Sequence, residues 1–100
     1  MTYNLKFHQK ALKEWNKIDK SIKEQFKKKI KERLNNPEVP KDKLSGFENV
    51  YKIKLKNAGF RLAYEVLNED LVIIVLCVAK RENDKIYKLL QSRFDESNDI

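Results

Sequence analysis

Between Val50 and Arg81 the chain reads VYKIKLKNAGFRLAYEVLNEDLVIIVLCVAKR, and this stretch restricts the possible folds more than any other part. From Val50 to Lys56 the residues alternate strictly: Tyr51, Ile53 and Leu55 fall on one face of a strand, Lys52, Lys54 and Lys56 on the other. Asn57, Ala58 and Gly59 supply turn chemistry, after which Phe60, Leu62, Tyr64 and Val66 alternate with Arg61, Ala63 and Glu65. The pattern predicts a β-hairpin. For both apolar sets to reach one core the loop must hold an even number of residues, which puts Lys52, Lys54 and Arg61 together on the other face. Leu71 to Val78 is apolar throughout, as suits an interior strand covered on both sides; with Ala79 it has nine residues, too few to cross a bilayer. Asn68, Glu69 and Asp70 form a short polar connection, so this strand runs back antiparallel and delivers Lys80 and Arg81 to the hairpin turn. Lysines on an exposed strand face also protect sheet edges from aggregation. Basic side chains arriving from separate strands tip the balance toward a surface that grips phosphate.

The segments on either side complete the element order. Tyr3, Leu5 and Phe7 alternate with polar residues in a short first strand, and from about Gln9 the residues Ala11, Leu12, Trp15 and Ile18 recur at helical spacing. His8, at the junction, has no second ligand at metal-binding spacing and reads as structural. Ser21 and Glu24 have the spacing of a capping box, behind which Ile22, Phe26, Ile30 and Leu34 form a helical stripe. The other faces of that helix carry Lys23, Lys27, Lys28, Lys29, Lys31 and Arg33, a run that ordinarily means a solvated face but here strengthens a positive field. Asn35, Asn36 and Pro37 end the helix. Glu38 to Asn49 lacks any sustained period and reads as a connecting loop. After Arg81, Asn83 or Asp84 is placed to cap a last helix with an apolar stripe of Ile86, Leu89, Leu90 and Phe94, and Tyr87 lies at its margin, where a tyrosine ordinarily packs. The expected fold is α+β, in the order βααβββα: a mostly antiparallel four-stranded sheet with the two N-terminal helices on one face and a C-terminal helix. One domain spans 1–94, and 95–100 form a polar, frayed tail.

Charge narrows the partner. The chain carries +7 overall, and since Asp95, Glu96 and Asp99 stand in the last six residues without a base, residues 1–94 carry +10. A polyanion is the simplest match. The single cysteine, Cys77, excludes an internal disulfide framework, fits a reducing compartment, and inside an apolar strand reads as a buried small hydrophobe. No signal peptide is visible, so a cytoplasmic location is expected. There is no phosphate-binding glycine loop, no metal-ligand cluster, and no serine or cysteine beside a plausible base. Nuclease chemistry on such a chain must therefore run on lysine, arginine and tyrosine, which is feasible for RNA because its own 2′-hydroxyl can attack the adjacent phosphorus. Arginines then stabilise the phosphoryl charge, and Lys54 can serve as base if Lys52, Arg61 and Arg81 lower its pKa.

ALKEWNKI in the first helix, YKIKL followed by GFRLAYEV in the hairpin, and VAKRENDKIY after the last strand resemble the RelE toxins of bacterial toxin–antitoxin systems. The resemblance covers about residues 1 to 90. It implies a small basic protein that enters the ribosomal A site and cuts mRNA there, without metal or other cofactor. Position by position it implies a catalytic set of Lys52, Lys54, Arg61, Arg81 and Tyr87: Lys54 as general base, Arg61 as transition-state stabiliser, Arg81 as general acid or leaving-group contact, Lys52 to align and neutralise the phosphate. Tyr87 would stack on or orient the nucleotide, in place of the packing that its position alone suggests. Lys23, Lys27, Lys28, Lys31, Lys56 and Lys80 are the expected contacts to RNA and ribosome. A RelB-like antitoxin, acidic and partly disordered, would be the protein partner, operator DNA being reached only through that complex, and no membrane is involved. The ending YKLLQSRFDESNDI departs from the usual family pattern. Two other readings stand beside this one: a ParE-like gyrase inhibitor on the same fold, and a non-catalytic nucleic-acid-binding module.

Overall fold

The computed structural model describes residues 2–82 and 85–98, with side chains as far as Phe94. Four strands, β1 (Asn4–Phe7), β2 (Val50–Leu55), β3 (Phe60–Leu67) and β4 (Val72–Lys80), form one sheet in the order β1-β4-β3-β2. Helices α1 (Gln9–Lys17) and α2 (Lys20–Asn35) follow β1, and α3 (Lys85–Asn98) follows β4. The element order is the expected one. β2, β3 and β4 pair antiparallel and β1 pairs parallel with β4, so the sheet is mixed.

Register decides which side chains meet. Leu55 pairs with Phe60, leaving four residues in the hairpin loop, an even number, and the apolar sets of both strands share a face as the alternation requires. Gly59 takes φ +68 there, a left-handed conformation that glycine adopts without Cβ strain. Tyr51, Ile53, Leu62, Tyr64 and Val66 bury against Ala11, Trp15, Phe26 and Ile30 of α1 and α2. The opposite face is smaller: Val50, Ala63 and Cys77 lie beneath Ile86 and Leu90 of α3. β4 is therefore covered on both sides, which its unbroken apolar run demands. Burial, aided by the Glu14 charge, pushes the Cys77 thiol up to about 12, that of a structural cysteine.

Several sequence expectations require correction. Asp19, not Ser21, is the N-cap of α2: its carbonyl accepts from Lys23 N at 3.0 Å, so Ser21 lies inside the first turn where no capping box can form. Leu12, which the helical spacing assigns to the α1 stripe, is 44% exposed, about 100° round the helix from Ala11. Helix α3 continues to Asn98, four residues into the segment set apart as a tail, while the proposed caps Asn83 and Asp84 lie outside the described residues. The linker from Glu38 to Asn49 is more ordered than its composition suggests. It holds a 3₁₀ turn (Pro40–Asp42), a fully buried Leu44, and a bridge from Lys43 to Tyr51. His8 does act structurally, its Nδ1 accepting from Lys10 N at 3.1 Å as the cap of α1.

Arg33 falls among the lysines of a helix face expected to be solvated, yet it organises this linker. It donates to Asp42 Oδ2 at 2.5 Å, to the Tyr64 hydroxyl at 2.9 Å and to the Lys52 carbonyl at 3.2 Å. Burial alone would lower its pKa; the bonds to Tyr64 and Asp42 outweigh that and raise it, so the group stays charged. Tyr64 in turn donates to the Pro37 carbonyl at 2.7 Å. Tyr64→Phe is expected to cost about 1–3 kcal/mol in urea unfolding, because it strips a buried carbonyl and a guanidinium of one partner each.

Candidate active site

The antiparallel register builds a basic row at one end of the sheet. Lys54 stands directly opposite Arg61, Arg61 opposite Ala79, and one step along the same face Lys52 stands opposite Ala63. These side chains emerge on the α3 side, opposite in parity to the Tyr51, Ile53 and Leu55 set that meets α1 and α2. Arg81, just past β4, is tied to the hairpin by its N–H donating to the Gly59 carbonyl at 2.7 Å. Three strands thus converge, as the sequence pattern predicted. Lys80 does not join them. It pairs with Phe60, which pairs with Leu55, so its side chain belongs to the face that meets α1 and α2.

The electrostatics of the row follow from its crowding. The Lys54 ammonium is held below the ordinary lysine value, chiefly by the Lys52 charge, then by partial burial, then by Lys56, Arg61 and Arg81. Each neighbouring cation disfavours adding another proton, which is what a lysine base near neutral pH needs. Arg61 is half-buried, and among the described residues its enclosed Nε has no hydrogen-bond partner. Such a donor favours an incoming oxyanion, because binding removes the cost of leaving it unsatisfied. Among the described residues no group of His, Cys, Asp or Glu is placed to hold a metal ion.

Tyr87 sits in the first turn of α3, half-buried, its ring stacked on Phe47 with centroids 6.1 Å apart. Phe47 also stacks on Phe94 at 5.5 Å. The linker therefore supplies an aromatic support for Tyr87 that no periodic signal announced. A second feature missed in the sequence fixes α3 itself. Arg93, 4% exposed, donates to Glu14 of α1 at 2.7 Å and to the Leu76 carbonyl at 2.5 Å, while Glu14 accepts from Val78 N at 3.0 Å. Its position, three residues beyond Leu90 on the apolar stripe, was the available signal.

The expected RNA contacts on α2 are not gathered at the row. Lys28 and Lys31 are exposed, Lys27 pairs with Glu24 at 3.5 Å on the surface, and Lys23 is half-buried. The helix line that reaches the sheet edge beside Lys54 is Gln25, Lys29 and Arg33. Lys56 follows Lys54 in the hairpin turn and is exposed.

Residues 5–85 match the family described as the ParE toxin of the type II toxin–antitoxin system parDE. The mRNA interferase toxin RelE of Escherichia coli K12 is 45% identical over 87 residues, covering 87% of this chain and 92% of its own. An E. coli protein described as a RelE-like toxin is 50% identical over 93 residues, covering 93% of this chain and 98% of its own. Among solved structures, an arginine-to-alanine mutant of E. coli RelE in the free state superposes with TM-score 0.86 at 42% identity, covering 93% of this chain and 98% of that one. The fold and the sequence place this protein in the RelE/ParE family of type II toxins. Within it the similarity lies with the RelE toxins.

Proposed function

We propose that this chain is a ribosome-dependent endoribonuclease toxin that cuts mRNA in the A site by 2′-hydroxyl attack, and that a RelB-like antitoxin neutralises it in the cytoplasm. The observation that carries the reading is the pairing of Lys54 with Arg61 beside the Arg81–Gly59 tie, one depressed base and two permanent cations on one open face. Lys54 takes the 2′-hydroxyl proton. Arg61 receives charge that develops on the phosphoryl oxygens, Arg81 meets the departing 5′-oxygen, Lys52 aligns the phosphate, and Tyr87, held by Phe47, orients a base. The similarity to E. coli RelE, named an mRNA interferase, supports the reaction class. The solved E. coli RelBE complex, which matches this chain with TM-score 0.78 at 44% identity, supports the antitoxin. An acidic, partly disordered partner that folds on binding suits a basic face of this kind.

The deciding experiment adds the purified toxin to a reconstituted translation mixture and to the same mRNA without ribosomes. Cleavage confined to the translated message is the expected result, and equal cutting of free RNA, or none anywhere, overturns the proposal. The matched family is described by its ParE toxin, so a ParE-like gyrase inhibitor is kept as the second reading. Supercoiling assays are expected to show no effect of the toxin.

The pH dependence tests the role of Lys54 separately. A base acts in its deprotonated form, so the single-turnover rate should rise with pH and level off below the ordinary lysine value of 10.5. Lys52→Gln removes the largest cause of the depression and should move the whole profile to higher pH. A lower rate without a shift would mean that Lys52 acts on the phosphate alone.

A further inference from the structure

A cleft of about 390 Å³ opens between α2, the 3₁₀ turn and the outer edge of β2. Lys29 stands on one side, Lys41 on another and Lys56 at the hairpin, all exposed, with Gln25 and Asn57 between them. The acid in its wall, Asp42, is already bound to Arg33. Lys54 lines this cleft and also belongs to the row with Arg61, so the two basic surfaces meet at one residue. From the sequence, Lys29 was one of six cations on a helix; the fold singles it out because Gln25, Lys29 and Arg33 recur every four residues on the line facing β2.

A peptide strand is a poor fit here. Leu44 N already donates to the Val50 carbonyl at 2.9 Å, Lys43 bridges Tyr51, and Arg33 donates to the Lys52 carbonyl. What is left of the β2 edge, from Ile53 to Leu55, is shorter than a strand that could stably add to it. Cations around a polar concavity instead match an anion.

We infer that this cleft is a second phosphate subsite, in which Lys29, Lys41 and Lys56 hold the backbone phosphate of a nucleotide flanking the cut while Lys54 attends to the scissile one. The inference rests on the proposed endonuclease reading. It makes the cleft a device for fixing the direction and register of the RNA strand across the sheet end. Phosphate contacts of this kind position a strand without reading its bases.

The test couples a change in the protein to a change in one RNA phosphate. A neutral methylphosphonate is walked one position at a time across the cut in a ribosome-bound message, and single-turnover cleavage is measured for wild type and for the K29Q/K41Q double variant. At one flanking position wild type should lose roughly five- to tenfold, and the variant, already slowed by a similar factor, should lose nothing more. Both substitutions lie on exposed side chains, and unchanged thermal unfolding confirms that the variant is folded. Equal sensitivity of both proteins at every position, or a variant as fast as wild type, overturns the subsite. A variant that cuts normally but binds the acidic antitoxin more weakly assigns the cleft to the protein partner and overturns it equally. Failure of wild type to cut at all is a different result, since it removes the endonuclease reading.

Discussion

Lys54→Ala should reduce single-turnover cleavage on the ribosome by about 10²- to 10⁴-fold, the usual range for losing a general base, while leaving ribosome affinity almost unchanged. The expectation follows from position. Lys54 is one cation among many for binding, so its loss removes one of several contacts. For the cutting step it is a lysine whose proton its neighbours make easier to lose, through Lys52 first and Arg61 and Arg81 further down. Lys54→Arg separates charge from proton transfer. A guanidinium keeps the charge and remains protonated at any accessible pH, so this variant should fail nearly as badly as alanine. Full activity in Lys54→Arg would make the position purely electrostatic and would require another base. Exchanging Lys27 and Lys28 for glutamine serves as the contrasting measurement. These residues lie on α2, off the line that faces the row, and should affect only association and its salt dependence.

The row was legible in the sequence because strand alternation is a rule about faces, and a hairpin with an even loop adds the rule about partners. Lys52, Lys54 and Arg61 could be placed together from those two constraints, and Arg81 from the direction of β4. Lys80 could not be separated from Arg81 in the same way. The β4 run is apolar on both faces and contains a bulge between the partners of Ala63 and Tyr64, so parity at its exit is hidden in the residues. Arg33 and Arg93 were hidden for another reason. Both are cations that the fold buries beside apolar stripes, and a stripe pattern cannot distinguish a solvated arginine from one that satisfies backbone carbonyls. Phe47 lay in a segment without periodicity, where no rule of spacing applies. The role proposed for Tyr87 rests on similarity to RelE, since local pattern suggests packing, and the structure stacks its half-buried ring on Phe47.

Breaking the Glu14–Arg93 pair should be clearly destabilising, about 2–4 kcal/mol for Arg93→Met, because it removes the charged donor from both the Leu76 carbonyl and a carboxylate that is 26% exposed. For a domain of this size each kcal/mol lowers the melting temperature by about 4–8 °C, so thermal unfolding reads the effect easily. The geometry adds a feature that a simple ion pair lacks. β1 accompanies β4 only as far as Val75, and beyond it Glu14 accepts from Val78 N while Arg93 donates to the Leu76 carbonyl, standing in for a missing strand. Replacing both partners by methionine therefore should not restore stability, as it often does for isolated buried pairs, since two backbone groups would be stranded at about 1–3 kcal/mol each. Glu14→Gln keeps an acceptor for Val78 N and should be milder than Glu14→Met. An E14M/R93M protein as stable as wild type would show that these backbone bonds contribute nothing. If they do contribute, Arg93→Met should also loosen α3, which carries Tyr87 at its other end, and lower the cleavage rate at temperatures where the rest of the domain is still folded.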